Sequence, residues 1–337
     1  MRKKRTFVLL NCFVTIFLAF GLGNLGLANS ENDFRQYRLN KINSAEFFQS
    51  LGYLVGQEFT IRRIDEKYPN SLLVPNLKFE NAFPKLKSKF DTIAISTMGH
   101  EEYEKFYVDL KEQIENELSQ NIINDKVLRE FSQKLLARAE GNIESPFLET
   151  FLSVAYLESP FTEFSKGYKQ KFSSLGHAKS KGVHIDFDLP KSWAGKEGKR
   201  PNTLKQWTSQ NGYGRESINI VIKDLGFNPS DIEINSTFED KDQLVDWVMP
   251  GFTVVNSNLT TIEGQRTVFI ESAGLFERGA SKIYMYVQNA IIFFDDKLLT
   301  FTCSIGENDK AIIVFGGNLI RPLCNAVLNS VVFPQLY

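Results

Sequence analysis

Three side chains on one short segment are the first candidates for chemistry. In "VHIDFDL", His184, Asp186 and Asp188 alternate with Val183, Ile185, Phe187 and Leu189. On a strand the polar three share one face and the apolar four the other. An imidazole and two carboxylates on one face could contribute ligands to a divalent metal. A metal-dependent or hydrolytic enzyme built around them is therefore the alternative function for this chain. The plainer reading is preferred, because one strand supplies too few converging ligands and His and Asp suit the wet face of a half-buried strand. The remaining histidines add little: His100 opens a helical segment beside Glu101 and Glu102, and His177 falls among small residues.

The stretch that follows, "DLPKSWAGKEGKRPNTLKQW", raises the question of a phosphate-binding loop. A Walker loop needs two glycines separated by four residues, then Lys and a hydroxyl residue opening a helix. Here Gly195 and Gly198 are too close, Arg200 stands where the hydroxyl belongs, Pro201 follows, and "TLKQWTSQN" reads as a strand. With no helix dipole to receive a phosphate, the loop is rejected as a nucleotide site. Trp193, Lys196, Lys199 and Arg200 remain a possible interaction loop for anionic headgroups or an acidic partner. Three charges steer only weakly, so a solvated loop is preferred, with Trp193 anchoring the sheet edge. Cys303 lies in an apolar strand and Cys324 on the last helix; they are either a disulfide or two buried thiols. No Gly-x-Ser-x-Gly, Cys-x-x-Cys or His-Glu-x-x-His pattern occurs. No catalytic residue and no cofactor is assigned.

The elements that must position these residues fall into two kinds. From Asn43 to about Leu175 the apolar period is helical. "SAEFFQSLGYLVGQEFTIRRI" sets Phe47, Leu51, Leu54 and Val55 on one stripe, with Gly52 and Gly56 beside it where a second helix could approach. "EEYEKFYVDLKEQIENEL" turns Tyr103, Phe106, Tyr107, Leu110, Ile114 and Leu118 inward. "DKVLREFSQKLLARAEG" starts after Asn124, a good N-cap, and ends at Gly141. "SPFLE" and "SPFTE" both combine a serine cap, a first-turn proline and a glutamate near the positive end of the helix dipole. Beyond "SSLGHAKSKG" the period becomes two, in segments rich in β-branched and aromatic residues. Glu263-Gly264 and Asp295-Asp296 sit where hairpin turns belong. "FEDKDQLVDWV" reads as a short helix between strands. The stretch from Asn308 to Ser330 reads as a terminal helix made irregular by Gly316, Gly317 and Pro322. The expected fold class is α+β, an all-helical domain followed by an antiparallel sheet sandwich with flanking helices.

The N-terminus carries Arg2, Lys3, Lys4 and Arg5, an apolar run from Phe7 to Phe20, and the small-x-small exit Gly26-Leu27-Ala28. That is the layout of a secretory leader cut after Ala28. Gly21, Gly23 and Asn24 stop the run short of the roughly 20 apolar residues a membrane span needs. Asn11 makes Cys12 a poor lipid-anchor site. Removing the four basic residues takes the formal charge from −1 to −5, which argues against nucleic-acid binding. The expected organisation is a leader at 1–28, a helical domain at 31–172, a linker at 173–182 and a sheet domain at 183–337.

Several short features together resemble a PsbP-like domain of the DcrB type. They are Leu189-Pro190-Lys191-Ser192-Trp193 after a strand, then a polar loop and a strand leading to Gly212 and Gly214. Further on come "TTIEGQRTVFIE", a hairpin closing in "LTFTCS", and a last helix ending "NSVVF". The resemblance spans Gly182 to Phe333. It implies an α/β sandwich that acts by binding, with no shared catalytic residues to carry over. The expectation is an exported, periplasmic or secreted accessory protein of the bacterial envelope. Its partner would be an envelope or secreted protein or a small ligand, and it would meet the membrane only during export.

Overall fold

The computed structural model describes residues 36–239, 243–278 and 281–337. The expected leader, with Cys12 and the cleavage position at Ala28, lies outside the described residues. Contacts divide the chain into two compact units, residues 39–155 and residues 156–337, the latter joined by 36–38. The division falls at Ala155, ahead of the break expected between Ser173 and Gly182.

The first unit is helical: α1 (Ser44–Lys67), α2 (Leu73–Ala82), α3 (Leu86–Met98), α4 (His100–Leu118), α5 (Asp125–Ala139) and α6 (Phe147–Ala155). The expected α1 stripe is its buried face, with Phe47 and Leu51 fully enclosed. Phe47 packs on Phe90 of α3 at 4.7 Å between ring centroids, and Phe151 of α6 lies 6.0 Å beyond. Offset and edge contacts of this kind bury large areas and favour one packing over its alternatives. Asn124 caps α5 as its side-chain oxygen accepts from the amides of Lys126 and Val127. Gly99, at φ 86°, makes the turn between α3 and α4 that a side chain would strain. Gly52 meets Leu110 of α4 only at ordinary van der Waals distance, and nothing lies near the missing Cβ of Gly56. The expected close helix approach at both glycines is therefore corrected: Gly52 packs normally and Gly56 faces open space.

The second unit begins with α7 (Pro160–Ser165), capped by Ser159, and β1 (Lys169–Ser173). β1 pairs with β2 (Asp186–Pro190) as a two-stranded sheet. The larger sheet has seven antiparallel strands in the order β3-β4-β5-β9-β8-β7-β6. These are β3 (Ala194–Glu197), β4 (Thr203–Thr208), β5 (Glu216–Asp224), β6 (Phe252–Ile262), β7 (Gln265–Arg278), β8 (Ser281–Phe294) and β9 (Lys297–Glu307). A left-handed turn, α8 (Ser209–Gly212), joins β4 to β5; α9 (Asp231–Glu239) and a short 3-10 turn at Gln243–Trp247 precede β6. α10 (Ile312–Leu328) packs on β8 and β9 and runs unbroken through Pro322. The irregularity expected there is absent because Gly316 and Gly317 are contact residues. A Cβ on Gly317 would stand 3.0 Å from the Tyr286 ring of β8, and one on Gly316 would overlap that residue's own Cβ.

One core lies between the large sheet and the layer formed by β1, β2 and α10. Phe172 of β1 and Phe187 of β2 meet Trp207 of β4 edge-on at 5.0 and 5.5 Å, and Phe187 meets Phe301 of β9 at 5.3 Å. A smaller core on the opposite face holds Ile234 and Phe238 of α9 against Ile270 and Phe293. Both expected two-residue hairpin turns form, with Glu263 at φ 49°, Gly264 at φ 76° and Asp295 at φ 51°. Positive φ at such positions matches the twist of the flanking strands. Among the described residues no helix is long and apolar enough to cross a membrane.

Candidate functional site

β2 alternates as the sequence requires. Ile185, Phe187 and Leu189 are buried, while His184, Asp186 and Asp188 line the outer face. His184 Nε2 lies 3.1 Å from Asp186 Oδ1 and 3.2 Å from Ser173 Oγ. The neighbouring strand β1 sets lysines against both carboxylates: Lys171 Nζ is 3.0 Å from Asp186 Oδ2 and Lys169 Nζ 3.5 Å from Asp188 Oδ2. Burial raises the Asp186 pKa, but hydrogen bonds from Ser173 and Lys171 and the nearby positive charge outweigh it and hold the group below its ordinary value. The geometry brings His184 and Asp186 together and gives Asp188 to Lys169. Among the described residues no group of three His, Cys, Asp or Glu side chains is placed to hold a metal ion. Each carboxylate of the candidate set thus has a lysine partner across the strand pair.

The stretch read as a possible interaction loop is the β3–β4 hairpin. Lys196, Lys199 and Arg200 are exposed, as expected. Trp193 is 2% exposed and belongs to the core, so it is removed from the interaction surface. Its carbonyl accepts from Gln170 Nε2 at 2.5 Å, which ties the opening turn to β1. The segment expected to be a linker is docked on this hairpin. His177 Nε2 lies 3.0 Å from Glu197 Oε2, and Lys179 Nζ donates to the carbonyls of Gly198, Arg200 (3.1 Å) and Thr203 (3.3 Å). Ser174 Oγ donates to Val183 O and accepts from Ile185 N, both at 2.8 Å. Cys303 and Cys324, left open by the sequence, form a disulfide between β9 and α10 with Cα atoms 6.2 Å apart. Beside it, Arg321 of α10 makes a two-pronged pair with Glu271 of β7 at 2.7 and 2.8 Å, and Tyr286 donates to the same carboxylate at 2.6 Å. Disulfide and ion pair fasten α10 to the sheet.

The cleft that the sequence did not disclose is in the helical unit. Tyr53, Gly56, Gln57, Thr60 and Arg63 recur at three- and four-residue steps on α1, and Val127, Glu130, Phe131, Lys134 and Arg138 do so on α5. The two stripes line a cleft of about 460 Å³, to which Leu118, Ile123, Asn142, Ile143, Glu144 and Phe147 also contribute. Gly56 contributes room, since no atom lies within 4 Å of where its Cβ would be. Arg138 is half-buried. Its Nη1 donates to Gln57 Oε1 at 2.7 Å, and its guanidinium carbon stands 4.6 Å from the Tyr53 ring centre and 5.9 Å from that of Phe131. Burial lowers the Arg138 pKa, with Tyr53 opposing. Burial likewise raises the Tyr53 pKa, with Arg138 opposing. Aromatic and aliphatic side chains mixed with polar ones around a half-buried cation make this cleft a candidate small-molecule site.

No protein-family model matches the chain, and no curated protein matches it. Solved structures do. A cyanobacterial PsbP (CyanoP) from Synechocystis is 14% identical, covering 49% of this chain and 92% of its own, with a TM-score of 0.34. LpqN of Mycobacterium tuberculosis, described as involved in cell envelope biogenesis, is 12% identical over 50% of this chain and 92% of its own, with a TM-score of 0.29. A Pseudomonas aeruginosa protein of unknown function, described as a possible regulator, is 13% identical over 49% of this chain and 97% of its own, with a TM-score of 0.25. At these values the likeness is one of fold, and the functional reading rests on the chain's own geometry.

Proposed function

We propose that this chain is an accessory protein of the bacterial envelope that acts by binding, and that the α1–α5 cleft of the helical unit is where a small ligand is held. The cleft carries the reading: its volume lies within the range of small-molecule sites, and its lining combines apolar walls with polar and charged side chains. Export is supported by the basic head, short apolar run and small-residue exit at Ala28. The sheet unit has a compact core and a docked hairpin, and in this reading it presents a surface to a protein partner.

The test uses a neutral dye, N-phenyl-1-naphthylamine, whose fluorescence rises in apolar surroundings, together with the variant Gly56→Leu. That side chain would grow into the cleft from a position with free space around it. Replacing a mid-helix glycine also favours the helix by up to about 1 kcal/mol. Saturable dye binding to the wild-type chain, lost in a Gly56→Leu variant with an unchanged or higher melting temperature, is the expected result. Equal dye binding by the two proteins would place the apolar site elsewhere and remove the proposal.

A further inference from the structure

We infer that the ligand of the α1–α5 cleft is an amphipathic carboxylate whose head pairs with the Arg138 guanidinium and whose apolar body lies against Tyr53, Phe131 and the space beside Gly56. The inference rests on the binding reading above and names the chemical class of what is bound. Arg138 is the residue that selects it. Two arginines of the other unit come with acids: Arg321 has Glu271, and Arg215 has Glu307. Among the described residues no carboxylate stands within ion-pair distance of Arg138; its polar partners are the neutral Gln57 Oε1 and the Tyr53 side chain. Its guanidinium carbon stands 4.6 Å from the Tyr53 ring centre and 5.9 Å from that of Phe131, within reach of the attraction between a cation and a ring. Gln57 and the Tyr53 side chain each accept from this fork of five N–H donors, which leaves others for an acceptor that a ligand supplies.

A planar fork of donors in a partly desolvated setting is matched in shape and charge by a carboxylate. Gln57 holds the fork in one orientation, so little side-chain freedom remains to be lost on binding. The charge around the rim points the same way, since Arg63, Lys134 and Arg138 outnumber Glu130 and Glu144. An apolar body fits because Tyr53 and Phe131 stand beside the guanidinium and Ile123, Val127, Ile143 and Phe147 share the lining. A small inorganic anion would leave those walls wet.

Two competitors of equal chain length, decanoate and 1-decanol, separate the head from the body when each displaces N-phenyl-1-naphthylamine from the full chain. A charge-assisted pair is worth about 1.5–3 kcal/mol, so decanoate is expected to compete at least about tenfold better than decanol. Arg138→Gln should abolish that preference and leave decanol unchanged, and Arg138→Lys should keep part of it. Equal potency of the two competitors on the wild-type chain overturns the inference, whether or not the Arg138 variants fold. So does displacement by neither compound, or an equal loss of both in a folded Arg138→Gln. In all three cases a dye site that remains sensitive to Gly56→Leu keeps the cleft reading standing. If the dye itself does not bind, the cleft reading fails and the inference with it.

Discussion

Glu163 on α7 is 1% exposed and accepts from the amide and hydroxyl of Ser192, at 2.8 and 2.7 Å, so it clamps α7 to the turn between β2 and β3. Burial pushes its pKa from 4.5 up to about 7, against the Ser192 and Lys191 hydrogen bonds that favour the charged form. The native state therefore holds this proton more tightly than the unfolded chain does. The resulting stability is fully present below about pH 4.5 and is lost as the pH rises through about 7. The shift corresponds to about 3 kcal/mol at most. Glu163→Gln, which cannot ionise, should flatten that part of the stability profile. Chemical denaturation of wild type and variant at pH 4.5, 6 and 8 checks it, and parallel profiles would contradict the assignment. The β2 alternation was legible from single residues, and so was the core role of Trp193, since proline before a bulky aromatic fixes the exit from a strand. Glu163 was legible only as a helix-start acid, because its partner Ser192 is brought to it by the fold.

Elements were legible where one local rule governed them. Asn124 and Ser159 cap the helices they precede, and the period of two marks the strands of the large sheet. Segment 173–182 looked like a linker because it is rich in glycine, serine and lysine. Yet His177 and Lys179 fasten it to the β3–β4 hairpin, through side-chain contacts that no local pattern encodes. Gly316 and Gly317 looked like helix breakers and instead let α10 settle on Tyr286. The cleft is the clearest omission. It is built from stripes of α1 and α5 far apart in sequence, and each stripe alone reads as an ordinary mixed face. The one available sign was Gly56, a glycine inside a strong helical pattern, which costs a helix stability unless the missing side chain has a use.

At the scale of the whole chain, we propose that the two units are separable domains with α7 and β1 belonging to the second. Subtilisin under native conditions should leave a resistant C-terminal fragment that begins at or before about Tyr156 and still contains the docked 173–182 segment. A fragment starting inside 173–182 would restore the later boundary. The central claim is that the helical unit, and not the seven-stranded sheet, receives the small ligand. Its most direct test is a titration of the isotope-labelled full chain with decanoate, followed by backbone amide NMR. The account predicts saturable shifts confined to residues 53–63 and 118–147, which line or flank the α1–α5 cleft. Shifts centred on the β3–β4 hairpin or the face of His184, Asp186 and Asp188, with the cleft amides unmoved, would contradict it.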